Sequence, residues 1–169
     1  MKSTAGPEVI MDAITLRLSQ PDDYDALGAL MFDAIHKGPT QYSKAQSQAW
    51  APAPWSGADW AARLDRKYVI VAHEDHALSG FMTVEPGGYI DFAYIRAEAQ
   101  GTGLFRRLYQ AIEEHARHMG ETQLSTHASL MAQPAFAAMG FSTDRHESVE
   151  RNGQTLARAQ MSKSLRDRP

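Results

Sequence analysis

The chain has 169 residues, 43% of them hydrophobic, which suits a single domain over 1–169 with a packed core over 14–165. A formal net charge of −3 argues against nucleic acid as a partner, because domains that bind it carry a basic face. No cysteine is present, which removes a disulfide framework, a thiolate nucleophile and cysteine-ligated zinc.

No apolar run approaches the length of a membrane span, and the first residues lack the apolar core of a signal peptide. The expectation is a cytoplasmic enzyme of bacterial type with no membrane partner. Residues 1–12 read as a loose leader. Ile14-Thr15-Leu16-Arg17-Leu18 alternates like a half-buried strand. Ser19-Gln20-Pro21-Asp22-Asp23 is a helix start, followed by a buried stripe of Leu27, Leu30, Met31, Ala34 and Ile35, with Gly38-Pro39 as its stop. Residues 40–65 are the least regular. They predict short helices over 43–50 and 57–65, joined by Ala51-Pro52-Ala53-Pro54. Tyr42, Trp50, Trp55 and Trp60 bunch here, and the sequence leaves open whether they line a pocket or fill the core beneath a long loop.

Three strands follow in quick succession. They cover 68–72, 78–85 and 89–95, with a polar turn at 73–76 and Pro86-Gly87-Gly88 between the last two. Leu104, Leu108, Ile112, His115, Ala116 and Met119 recur at helical spacing, and Gly120 stands at the C-cap position. Residues 122–126 predict a strand parallel to the one before the helix, reached by a right-handed crossover. A short helix over 132–139 follows. Asn152-Gly153 then predicts a hairpin of strands 141–149 and 154–162, and 166–169 should fray.

Gly101 and Gly103 therefore sit between a strand and a helix N-terminus. The first amides of a helix lack internal acceptors, the helix dipole adds positive charge there, and glycine lets an anion approach the backbone. The segment is either a pyrophosphate cradle or a tight turn that binds nothing. Phe105-Arg106 follows in place of the Lys-Ser or Lys-Thr of a P-loop, and the third glycine of a dinucleotide fingerprint is absent. No Gly-x-Ser-x-Gly elbow occurs. His73, His76, His115 and His118 have metal-like spacing but no third ligand, so no metal is expected.

Gln100-Gly101-Thr102-Gly103-Leu104 resembles the pyrophosphate loop of the GCN5-related N-acetyltransferases, with Phe105 replacing the family's last Gly or Ala. The segment Ser129 to Phe141 resembles the family's Asn-x-x-Ala-x-x-x-Tyr-x-x-x-Gly-Phe block, with Ser129 for Asn and Phe136 for Tyr. Tyr42-Ser43-Lys44-Ala45-Gln46-Ser47-Gln48-Ala49-Trp50-Ala51-Pro52 is similar to a segment of the YafP-like branch. The resemblance implies a mixed α/β fold: a mostly antiparallel sheet of six to seven strands, helices on both faces, and a splayed parallel strand pair. It implies transfer of an acetyl group from acetyl-CoA directly to a primary amine of a small molecule or peptide. The alternative is a non-catalytic acyl-CoA-binding or protein-interaction domain on the same fold. A homodimer is the assembly considered.

In such a site the backbone of Phe92, Ala93, Tyr94 and Ile95 bonds the pantetheine arm. The diphosphate lies on Gln100, Gly101, Thr102, Gly103, Leu104 and Phe105, with charge from Arg106 or Arg107. Ser129, Gln133 and Phe136 complete the coenzyme side, and Tyr42, Trp50, Trp55 and Tyr89 form the acceptor side. Asp91 is the first candidate base, since alternation puts it on one face with Tyr89 and Ala93. Glu85 and His127 come next, His127 as a base or an acceptor contact after the parallel strand. The family's thiolate-protonating Tyr aligns with Phe136, which cannot donate. A hydroxyl of Tyr94, Ser129 or Tyr89 or a water takes its place, or the thiolate leaves unaided.

Overall fold

The computed structural model describes residues 13–166, so the expected leader and the last three residues lie outside it. The edge strand β1 (Ile14–Leu18) leads through a 3-10 turn into α1 (Tyr24–Lys37). Asp23 fixes that turn by accepting from the Gln20 amide at 2.7 Å and from Arg17 at 2.8 Å. Next come α2 (Lys44–Trp50) and α3 (Gly57–Asp65). Helix α2 begins with a reciprocal cap, in which Ser43 Oγ accepts from the Gln46 amide and Gln46 Oε1 accepts from the Ser43 amide.

Strands β2 (Tyr68–Glu74) and β3 (Ala77–Val84) form the central hairpin. The turn is only Asp75-His76, so His73 and Glu74 belong to β2 rather than to a four-residue turn. Both strands are buried on both faces. Ile70, Ala72, Met82 and Val84 enter one core, while Val69, Val71 and Phe81 enter the other. The first core lies under α4 (Leu104–His118) and α5 (Ala132–Ala138), and the second under α1 and α3. Helix α4 buries Leu104, Leu108, Tyr109, Ile112 and Ala116. Two residues of its expected stripe fall outside: His115 stacks on Tyr68 with 3.6 Å between ring centroids, and Met119 is exposed.

The expected single strand over 89–95 is broken. β4 (Tyr89–Ile90) pairs parallel with β6 (Gln123–Ser129), whereas β5 (Ala93–Ile95) pairs antiparallel with β3. Ile90 is drawn into the first core and Phe92 into the second, which no continuous strand allows. Two buried threonines satisfy the backbone at the break: Thr83 Oγ1 accepts from the Phe92 amide, and Thr126 Oγ1 donates to the Ile90 carbonyl. The sheet is thereby divided into two of four strands. Their orders are β1-β2-β3-β5 and β4-β6-β8-β7, where β7 is Ser142–Arg151 and β8 is Gln154–Ser164. The splayed parallel pair is present, joined at Tyr89↔Ser125 and Ile90↔Thr126. The β7–β8 hairpin turns at Asn152 (φ 46°) and Gly153 (φ 83°), the left-handed pair of a two-residue turn. Among the described residues no helix is long and apolar enough to cross a membrane.

Candidate active site

The break leaves β5 with one free edge. Arg96 donates to Ser79 and Thr83 donates to Phe92. In the antiparallel alternation Tyr94 then bonds its partner Phe81, and Ala93 and Ile95 point their backbone groups away from β3. A cleft of about 400 Å³ lies there, lined by Ala93, Tyr94 and Ile95. So two of the four residues expected to bond a pantetheine arm have their backbone groups committed to β3. Phe92 is one of them; its ring is buried, 3% exposed, and borders a different cavity.

The same cleft runs to Gln100, Gly101, Gly103, Leu104, Phe105 and Arg106. Gly101 (φ 75°) and Gly103 (φ 83°) are left-handed, and a Cβ on either would meet nothing within 4 Å. The need for glycine here is conformational, and the space above the loop is open. Among the described residues, the amides of 101–106 find no acceptor; the first helical bond of α4 runs from Arg107 to the Gly103 carbonyl. Thr102 turns its hydroxyl back to the Ala99 carbonyl, and Gln100 sends its amide to the Ile95 carbonyl. Arg107 points away and donates to the Ile14 carbonyl.

From the second block, Ser129 borders the cleft and accepts from the Ala132 amide. Gln133 and Phe136 do not border it. Gln133 donates to the Ala128 carbonyl, and Phe136 is 2% exposed, edge-on to Phe105 and Phe141. Phe136 is core because a ring without a hydroxyl has no polar atom to keep near solvent.

A second cavity of about 910 Å³ is lined by Tyr42, Trp50, Trp55 and Tyr89. Trp60 instead fills the core, donating its indole N–H to the Tyr24 carbonyl at 2.6 Å. The bunched aromatics thus do both of the things the sequence left open. Tyr42 donates to the Ala157 carbonyl at 2.6 Å and accepts from the Leu130 amide. Asn152 donates to the Ala49 carbonyl and Gln46 to the Thr155 carbonyl, so the β7–β8 hairpin is pinned to α2. Trp50, Tyr94 and Ser129 border both cavities.

Asp91, placed in the break, is 3.1 Å from Arg63 and 3.4 Å from the buried Lys67 ammonium. Glu85 lies behind it, 3.8 Å from Lys67, and borders neither cavity. His127 stands inside β6, not after it, because the strand runs on to Ser129. Its Nδ1 is 2.7 Å from the Tyr89 hydroxyl, and its Nε2 is 3.5 Å from Glu147 Oε1. Burial, then the charge of Arg158, holds His127 below the usual histidine range. Burial, then the Asp91 charge, pushes the Tyr89 phenol up. The same two causes push Tyr94 far up, so both phenols stay protonated at neutral pH. Desolvation works to raise Glu147, but hydrogen bonding from Gln160, the Arg158 charge and Arg145 together hold it low.

Arg63, Glu147, Arg151 and Arg158 were not singled out from the sequence. One signal was there: the Asn152-Gly153 turn fixes the hairpin register and sets Glu147 opposite Arg158.

Residues 39–165 match the family model described as an acetyltransferase (GNAT) domain. The N-acetyltransferase YafP of Escherichia coli K12 is 30% identical over 145 residues, which is 85% of this chain and 91% of that protein. A GCN5-related N-acetyltransferase structure from Rhodopseudomonas palustris is 30% identical with a TM-score of 0.81, covering 89% of this chain and 95% of that one. The structure of yncA from Salmonella typhimurium, solved with its cofactor acetyl-CoA, is 18% identical with a TM-score of 0.70, covering 92% and 96%.

Proposed function

The chain belongs to the GNAT family and is an acetyl-CoA-dependent N-acetyltransferase, and from that premise we propose that it acetylates a primary amine of a small molecule or peptide by direct transfer. One observation carries this reading. The narrow cleft and the wide cavity meet at Trp50, Tyr94 and Ser129, so a donor in one and an acceptor in the other would touch without a covalent enzyme intermediate.

Acetyl-CoA supplies an acetyl thioester, whose carbonyl carbon bonds to the amine nitrogen as its C–S bond breaks. The amides of 101–106, at the positive end of α4, hold the diphosphate, and Arg106 adds charge. Ala93 and Ile95 offer backbone groups to the pantetheine arm, and the Ala93 amide polarises the thioester carbonyl. The Tyr89 hydroxyl takes a proton from the incoming ammonium while its own proton passes to His127 Nδ1, with Glu147 facing the far nitrogen. Asp91, engaged by Arg63 and Lys67, orients the ammonium beside Tyr89. Tyr94 donates a proton to the departing thiolate. The nitrogen sheds two protons in all: one leaves through Tyr89 and His127 to solvent, and the other replaces the proton that Tyr94 gave up.

Initial rates with both substrates varied test direct transfer. Intersecting double-reciprocal lines, with free thiol appearing only when amine is present, are expected. Parallel lines, or thiol release that does not depend on amine, would overturn it.

A further inference from the structure

The wide cavity gathers arginines in a protein whose formal net charge is −3. Its charged lining is Arg63, Arg151 and Arg158 against Asp91 and Glu150. Four of these five are already engaged. Arg63 pairs with Asp91, Arg158 pairs with Glu147 at 3.2 Å, and Glu150 accepts from Thr155. Arg151 is different: among the described residues its guanidinium has no hydrogen bond and no ion pair.

Arg151 is also well placed. It is the last residue of β7, directly before the Asn152-Gly153 turn, and the bond from Asn152 to the Ala49 carbonyl holds that turn at the cavity mouth. Its charge reaches the reaction point, where it opposes the burial that raises Tyr94. The uncharged part of the wall includes Trp50, Trp55, Phe92 and Leu156 beside the polar His127 and Ser129. A polycationic acceptor would find Asp91 already countered by Arg63 and Lys67, and Glu150 bonded to the Thr155 hydroxyl. A carboxylate would find one guanidinium fork with its donors free, a geometry that takes two parallel N–H···O bonds.

We propose that the acceptor is an amine carrying a carboxylate next to an apolar body, of which an amino acid with a large apolar side chain is the simplest case, and that Arg151 holds the carboxylate. The proposal rests on the N-acetyltransferase reading of this site.

The test uses matched pairs: phenylalanine with phenethylamine, tryptophan with tryptamine, and leucine with 3-methylbutylamine. In each pair the two members differ only by the carboxylate. The first readout is kcat/KM on the intact chain with acetyl-CoA, and the second is calorimetric binding to the chain loaded with CoA. The carboxylate member of at least one pair is expected to be preferred tenfold or more. Arg151→Gln should cut that ratio by tenfold or more, and Arg151→Lys should restore part of it. Equal or better use of the decarboxylated members, or a ratio unchanged in Arg151→Gln, would overturn the proposal. No turnover with any amine, beside Arg151-dependent carboxylate binding, would overturn the reading of the activity and leave the carboxylate site standing.

Discussion

The Tyr89 hydroxyl lies 2.7 Å from Nδ1 of His127, across the short stretch where β4 and β6 run parallel before they part. The next residues of β4's chain turn into the break that opens the cleft beside β5. The proposed proton path and the cleft therefore share one structural cause: Ile90 and Phe92 are buried in different cores. This pair carries the first prediction. His127 must be neutral to accept a proton, and burial holds it below the usual histidine range. Activity should rise with pH through a limb below about 6.5, the ordinary histidine value. His127→Gln should remove that limb and lower kcat by about 100-fold or more. A pH–rate profile that keeps the limb in His127→Gln would sink the relay.

Asp91 offers the competing base, and its removal reads differently. The Lys67 side chain is 4% exposed and relies on Asp91 at 3.4 Å, on the more distant Glu85, and on the Arg63 carbonyl that it donates to. Asp91→Asn takes away its nearest charge partner. The expected cost is about 3 kcal/mol of stability, a lower Tm, and a fall in kcat smaller than that of His127→Gln. If Asp91→Asn abolishes the acid limb while His127→Gln keeps it, Asp91 is the base.

Tyr94 is the residue proposed to replace the missing hydroxyl at Phe136. Its ring packs against Phe81, Phe92 and Trp50, so Tyr94→Phe keeps the packing and removes only the donor. kcat should fall by about tenfold to 100-fold with KM for acetyl-CoA little changed. An unchanged kcat would mean that the thiolate departs without a proton from this phenol.

How much of this was legible follows the range of the interactions. Helix α3 and the Asn152-Gly153 turn are set by neighbours within four residues, and each lies where the sequence placed it, while α2 starts one residue later than expected because Ser43 caps it. The glycine loop was legible for the same reason. The break at Asp91-Phe92 was not, because nothing local interrupts the β-forming run Tyr89 to Ile95. Its cause is distant: Thr83 and Thr126 supply bonds from two other strands. Glu147, Arg151 and Arg158 were missed because exposed hairpin charges read as solvated until α2 folds the hairpin over the cavity. The family resemblance places Phe136 at a coenzyme position, and its side-chain chemistry sends it to the core instead.

The loop predicts a conformational dependence as well as a steric one. Gly103 caps α4 with φ 83°, and the room above it is open. Gly103→Ala should cost about 1 kcal/mol through the left-handed backbone and weaken acetyl-CoA binding moderately. Gly103→Glu adds a negative charge beside the amides of 101–106 and should abolish the rise in Tm that acetyl-CoA produces. If Gly103→Glu still shows a full rise, the diphosphate does not lie on this loop.

The hairpin pin can be separated from the turn it anchors. Asn152 has φ 46°, so Asn152→Ala loses both its tolerance of that conformation and the 2.7 Å bond to the Ala49 carbonyl. Asn152→Gly loses only the bond. Both should free the hairpin from the C-terminal end of α2, which carries Trp50. The expected result is a KM for the amine that rises more than the KM for acetyl-CoA in both variants, with Asn152→Ala also losing about 1 kcal/mol more stability than Asn152→Gly. Steady-state kinetics beside thermal melts decide it. Equal rises in the two KM values would place Asn152 in the fold alone, and the acceptor wall would not depend on the hairpin's grip on α2.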